Sequence, residues 1–198
     1  MKLIITRHGE TIENTEGIIQ GHLHGTLSKL GKEQARKVAE RLKKEKIDYI
    51  YSSDLARAAD TAKEIAKFHP DIPIKFVKEL RERYLGKFQG KRKCDFGLDK
   101  EEFIQKIISK NDNVETKEEI YQRAKNFLDR IIHKHKNDTI LFVGHGGINK
   151  VIISVITNKS AEEVFDIENL HNTSISIYEI DEDKNHKVHL FNCKKHLD

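Results

Sequence analysis

The 198-residue chain is poor in cysteine and proline and has little excess of either charge. Its two cysteines, Cys94 and Cys193, lie far apart, and no Cys-x-x-Cys pair occurs. That spacing indicates neither a zinc site nor a disulfide framework, and free thiols point to a cytoplasmic protein. No apolar run approaches the roughly 20 residues needed to cross a bilayer, so no membrane association is expected. Lys2 leads straight into an apolar strand, with no apolar leader or cleavage site, and no secretory signal is expected. Lysine and arginine number 36 against 32 acids, and the net +4 is spread along the chain. With no basic arm and no basic–aromatic interleaving, nucleic acid is not an expected partner. The two prolines, Pro70 and Pro73, share one connection, where a missing N–H does no harm. Repeats, linkers and low-complexity stretches are absent, so residues 1–198 are expected to form a single domain.

What is present alternates between two periods. Residues 3–6, 47–52, 74–77, 139–143, 175–180 and 187–191 read as strands, the last two as a hairpin. The runs 3–6 and 140–143 are continuously apolar, as expected of central strands covered on both faces. Ser28 reads as the N-cap of a helix with Ala35, Val38, Ala39 and Leu42 on one face. Ser53 or Asp54 is expected to cap the next helix, which carries Leu55, Ala58, Ala62 and Ile65. Thr116-x-x-Glu119 is a capping box, and Ser160-x-x-Glu163 is a second one that opens a short helix. A further helix, with Ile148, Val151 and Ile152, follows residue 145. Residues 11–26 and 79–90 read as loops, and 101–108 as partly helical. The alternation predicts an α/β sandwich with a largely parallel sheet.

Three strand-to-helix junctions carry the chemistry. Arg7 and His8 end the first strand, Arg57 lies in the first turn of the helix after the second, and His145 ends the 139–143 strand. Parallel strands would bring all three to one sheet edge, where open α/β folds bind ligands. Arginine forks and the helix starts at Gly9 and Gly146-Gly147 suit a phosphate. Cationic neighbours disfavour imidazole protonation, and a neutral imidazole beside a phosphoryl group is a nucleophile. The remaining cations can hold the phosphoryl oxygens as charge redistributes. The leaving oxygen needs a proton, and Glu82 is the best-placed loop carboxylate.

Several blocks, taken together, resemble a known family. They are Arg7-His8-Gly9-Glu10-Thr11 with Asn14, Gln20-Gly21, Leu27-Ser28-x-x-Gly31, Ser52-Ser53-Asp54-Leu55-x-Arg57-Ala58, Leu80-Arg81-Glu82 with Gly86 and Gly90, and Gly144-His145-Gly146. Their order resembles the histidine phosphatase superfamily, the phosphoglycerate-mutase-like group. The resemblance implies a three-layer α/β/α sandwich with a mixed, mostly parallel sheet containing one antiparallel strand. It implies that His8 is phosphorylated and that Arg7, Arg57 and His145 bind and polarise the phosphoryl group, assisted by Asn14 and the Gly146 backbone. It implies Glu82 as proton donor and then activator of water, with Gln20 and Gly21 at the substrate mouth and Asn172-Thr173-Ser174 near the pocket. Glu10 is assigned a structural role, in capping the turn or pairing with an arginine. No metal and no cofactor is implied. The expected partner is a small phosphorylated metabolite such as a sugar phosphate, and the expected state is monomer or homodimer.

Within the family, His145-Gly146-Gly147 departs from the His-Gly-Asn of mutases, and the segment 91–113 is short and lacks paired arginines. Both departures favour a phosphatase resembling the broad-specificity and fructose-2,6-bisphosphatase-like members. Mutase-type phosphoryl transfer and simple phosphate-ligand binding are the alternatives. Lys91-Arg92-Lys93 either meets a second anionic group or is a solvated loop. His22 and His24 either touch substrate or are solvated. His133/His135 and His186/His189 lack partners for a metal.

Overall fold

Residues 3–5 are apolar at every position, Thr6 is buried beside them, and successive side chains of a strand point to opposite faces. Such a strand must be covered on both sides, and it is. The computed structural model describes residues 1–97 and 113–198. In it, β1 (Lys2–Arg7) lies inside a six-stranded sheet with β2 (Tyr49–Ser53), β3 (Ile74–Val77), β4 (Thr139–Gly144), β5 (Ile175–Ile180) and β6 (His186–Cys193), in the order β3-β2-β4-β1-β5-β6. β1 pairs in parallel with β4, from Lys2 opposite Thr139 to Arg7 opposite Gly144. β2 runs parallel to both β3 and β4. β5 is antiparallel to β1 and to β6, so among the described strands it alone runs against the rest.

The helices described are the single turn α1 (Ile12–Thr15), α2 (Lys29–Leu42), α3 (Ala56–Ala66), α4 (Lys117–Lys134) and α5 (Gly146–Ile156). Leu3, Ile5 and Phe142 pack on one face of the sheet with Phe127, Leu128 and Ile131 of α4 and Ile148 and Ile152 of α5. Ile4, Leu141 and Val143 pack on the other with Val38 and Leu42 of α2 and Ala58, Ala62 and Ile65 of α3. This is the expected three-layer sandwich. Truncating one such fully buried side chain to alanine costs about 2–5 kcal/mol.

The caps show where local reading holds and where it does not. Ser28 accepts from Gly31 N at 2.9 Å, and the Thr116–Glu119 box closes with bonds of 2.7 and 3.1 Å. Ser160 and Glu163 bond reciprocally too, but they open a 3₁₀ turn, Glu162–Asp166. Neither Ser53 nor Asp54 caps α3. Its N-cap is Leu55, without a side-chain bond, because Ser53 still belongs to β2 and the Asp54 carboxylate is held by Arg81 at 2.7 and 2.6 Å. The stretch 11–26 is not loop throughout. Thr11 caps α1, accepting from Asn14 N at 3.0 Å while Asn14 Oδ1 accepts from Thr11 N at 3.2 Å. The helix expected at 101–108 lies outside the described residues.

Candidate active site

The parallel pairing of β1 with β4 ends with Arg7 opposite Gly144, and His8 N donates to Gly144 O at 3.0 Å. The next residue of each strand, His8 and His145, therefore sits at the same edge, and the two ring centroids are 5.1 Å apart. β2 ends at that edge on the far side of β4, so the first turn of α3 delivers Arg57 there, with Nε 3.3 Å from His8 Nε2. All three junctions converge as expected. The convergence follows from strand direction alone.

His8 is 3% exposed, and its Nδ1 lies 2.7 Å from Gly9 O. A carbonyl can only accept, so Nδ1 carries the proton and Nε2 keeps its lone pair. Burial, and then the charges of Arg57 and Arg7, push the His8 pKa well below the ordinary histidine value. The ring is neutral at pH 7. Arg57 is 1% exposed, and burial draws its pKa down to about 10, which still leaves it charged. It donates from Nη1 to Leu23 O and to His24 O (3.1 Å) and from Nη2 to Gly21 O (2.9 Å). With the Nε bond, four of its five N–H donors clamp the 20–25 segment and His8. Arg7 donates from Nη1 to Leu170 O at 2.7 Å, while its buried Nε has no partner among the described residues.

Glu82 is docked on the start of α5. Its Oε2 accepts from Gly147 N at 2.9 Å, and its Oε1 from Ile148 N at 3.1 Å and Arg83 N at 2.9 Å. Gly147 N and Ile148 N are helix N-terminal amides that have no partner within the helix. A Cβ at position 147 would collide with Oε1, so glycine there is what admits the carboxylate. His145 is fully buried, and its Nε2 lies 2.8 Å from Ser53 Oγ. Burial, then Arg57, His8 and Arg7, holds its pKa well below the usual range.

A cavity of about 910 Å³ opens at this edge. Of the residues singled out in the sequence, Arg7, His8, Asn14, Gln20, Gly21, Arg57, Glu82 and Gly146 line it. His145 does not, and lies one layer behind, against His8. Gln20 Nε2 donates to Thr11 Oγ1 at 2.9 Å, which ties the mouth to the N-cap of α1. Asn172 reaches the site by donating from Nδ2 to His8 O at 2.8 Å. Among the described residues Glu10 pairs with no arginine and instead accepts from Ser28 Oγ at 2.7 Å. His22 bonds Glu82 O through Nε2 at 2.8 Å and His24 Nδ1 accepts from Ala56 N at 3.3 Å, so both brace loops and neither lines the cavity. Lys91 and Arg92 are likewise outside the lining. Among the described residues no group of three His, Cys, Asp or Glu side chains could hold a metal, and no helix is long and apolar enough to cross a membrane.

Residues 3–193 match the model of the histidine phosphatase superfamily, branch 1. The chain belongs to that superfamily. Phosphoglycerate mutase-like protein 4 of Arabidopsis thaliana is 33% identical over 204 residues, covering 100% of this chain and 87% of the relative. A metal-independent phosphoserine phosphatase of the same plant is 36% identical over 170 residues, covering 81% of this chain and 70% of the relative. The solved structure of YhfR from Bacillus stearothermophilus superposes with a TM-score of 0.90 at 27% identity, covering 100% of this chain and 99% of that one. The chain is a phosphatase, a phosphoric monoester hydrolase.

This histidine phosphatase also has site residues that its sequence did not mark. Lys117, Phe165, Asp166 and Glu168 line the far part of the cavity, with Lys117 Nζ 4.5 Å from the Phe165 ring centroid. Arg83, which the sequence places beside Glu82 and which with Tyr84 echoes the mutase pattern, lines it too, anchored by its Nε to Glu115 O at 2.6 Å. Lys117 comes from the start of α4 and Phe165, Asp166 and Glu168 from the segment after α5, and no local pattern links them to His8.

Proposed function

We propose that the protein hydrolyses small phosphate monoesters without a metal, through a phosphohistidine on His8. The observation that carries this reading is the tautomer of His8. The Nδ1–H is spent on Gly9 O, which leaves the Nε2 lone pair as the ring's only nucleophilic position, on a residue that lines the cavity. Attack of Nε2 on phosphorus forms the N–P bond and breaks the bond to the ester oxygen, and the long contact with Arg57 Nε gives way to phosphorus. Arg7, with its unpartnered Nε, and the fifth N–H of Arg57 take phosphoryl oxygens. Acting as general acid, Glu82 passes a proton to the leaving alkoxide. The carboxylate then takes a proton from water as that water attacks the phosphohistidine, releasing phosphate and restoring His8. Asn14, Gln20, Gly21 and Gly146 frame the phosphoryl end.

Beyond Glu82 the cavity presents cations, Arg83 and Lys117, and carboxylates, Asp166 and Glu168. That mixture suits a small leaving group bearing both charges, and an O-phosphorylated amino acid, as in the name of one relative, belongs on any substrate panel beside sugar phosphates. The two free thiols support a cytoplasmic location.

Turnover of p-nitrophenyl phosphate in EDTA is the test. The protein as it stands should release phosphate undiminished by the chelator, and His8→Ala should not release it at all. Turnover in His8→Ala equal to that of the unmodified protein would sink the nucleophile assignment.

A further inference from the structure

Ser53 has no role in the steps above, yet it is fully buried beside them. Among the described residues its Oγ has two partners, accepting from Leu55 N at 3.3 Å and lying 2.8 Å from His145 Nε2. The Nδ1 of His145 is buried with no partner among the described residues. We propose that Ser53 is a positioning residue that fixes His145 as the Nδ1–H tautomer, so that the ring offers a hydrogen-bond donor to the phosphoryl group on His8.

The argument is one of satisfied donors. A serine hydroxyl has one hydrogen, and an amide N–H cannot receive it. Of the two partners, only His145 Nε2 can. If Nε2 carried the proton, both the Ser53 O–H and the Nδ1 lone pair would be buried and unsatisfied. With the proton on Nδ1, Ser53 donates to Nε2 and one N–H alone is left over. Each buried polar group without a partner is costly, so the second arrangement wins. The His145 ring is 5.1 Å from the His8 ring, centroid to centroid, so the proposed phosphorylation of His8 brings an acceptor next to the ring that carries the leftover N–H. The two histidines are then complementary. Gly9 O sets His8 with a lone pair available at Nε2, and Ser53 sets His145 with a donor available at Nδ1.

This inference rests on the proposed phosphohistidine route, and its test separates the two. Long-range ¹H–¹⁵N spectra of the imidazoles, with His145 assigned through His145→Gln, read the tautomer without any turnover. The expected pattern is a protonated Nδ1 and an unprotonated Nε2, with Ser53→Ala shifting the balance toward Nε2–H. That variant should lose on the order of 10–100-fold in kcat, with little change in KM, as expected for removal of a transition-state donor. Ser53→Thr, which keeps the hydroxyl, should recover most of the loss. A protein whose His145 carries its proton on Nε2 overturns the proposal, as does a Ser53→Ala kcat within twofold of the parent. A merely structural Ser53 would lower Tm and leave the tautomer unmoved. Should Ser53→Ala fail to fold, the spectrum of the unmodified protein still decides. Failure of the phosphohistidine route would appear instead as turnover in His8→Ala, which leaves the Ser53–His145 contact intact.

Discussion

Replacing Gly147 with alanine sets two effects against each other. The backbone there is in the helix, at a position without positive φ, so alanine fits the fold and its better helix propensity adds about 0.5–1 kcal/mol. The new Cβ would collide with Glu82 Oε1 and lie 3.2 Å from Cδ, so the carboxylate must leave the Gly147 and Ile148 amides. Losing a side-chain cap costs typically about 1 kcal/mol. The two terms nearly cancel, and Tm should move by only a few degrees. Activity should not be spared, because the proposed proton donor has been displaced. General acid catalysis is worth roughly 10²–10⁴-fold. A displaced but retained Glu82 should therefore cost on the order of 10–100-fold for alkyl phosphates such as phosphoserine. For p-nitrophenyl phosphate, whose leaving group needs little protonation, the loss should be under about threefold. The assay is kcat/KM on both substrates beside a thermal melt. Gly146→Ala is the control. A Cβ there comes no closer than 3.6 Å to Arg7 and leaves the Glu82 bonds alone, so the ratio between the two substrates should stay at the parent value. An equal loss on both substrates in Gly147→Ala would refute the reasoning.

Two further outcomes are expected. His8 and His145 are held neutral by burial and neighbouring arginines, with pKa values well below 6.5, so protonation favours the unfolded chain. Their contribution to stability is complete above pH 6.5 and is lost as pH falls toward the folded-state values. Urea midpoints should decline through that acid range, and the acid limb of kcat/KM should lie below pH 6.5; a limb above it would contradict the neutral pair. Gly31→Ala should lower Tm although it lies in a helix, because the added Cβ would strike the backbone of Glu10, which cannot swing away. A rise in Tm would show that the contact relaxes.

How far local sequence reaches can be judged residue by residue. Strands β1 and β4, the apolar faces of α2 to α5, and the caps at Ser28 and Thr116 were legible because each depends on neighbours a few positions away. The meeting of Arg7, His8, Arg57 and His145 was legible too, since parallel strands leave one edge for all their C-terminal junctions. Only tertiary structure could decide the rest. Ser53 looks like a helix cap until His145, 92 residues further on, claims its hydroxyl. Glycine at 31 and 147 reads only as a weak helix former until the Glu10 backbone and the Glu82 carboxylate are seen against it. Lys117 and Phe165 join the cavity through packing of segments far apart in the chain. Periodicity and spacing encode what a residue does within its own element. What it meets across the fold is set by the approach of distant segments, and that is where this site acquires its Ser53–His145 contact and its docked carboxylate.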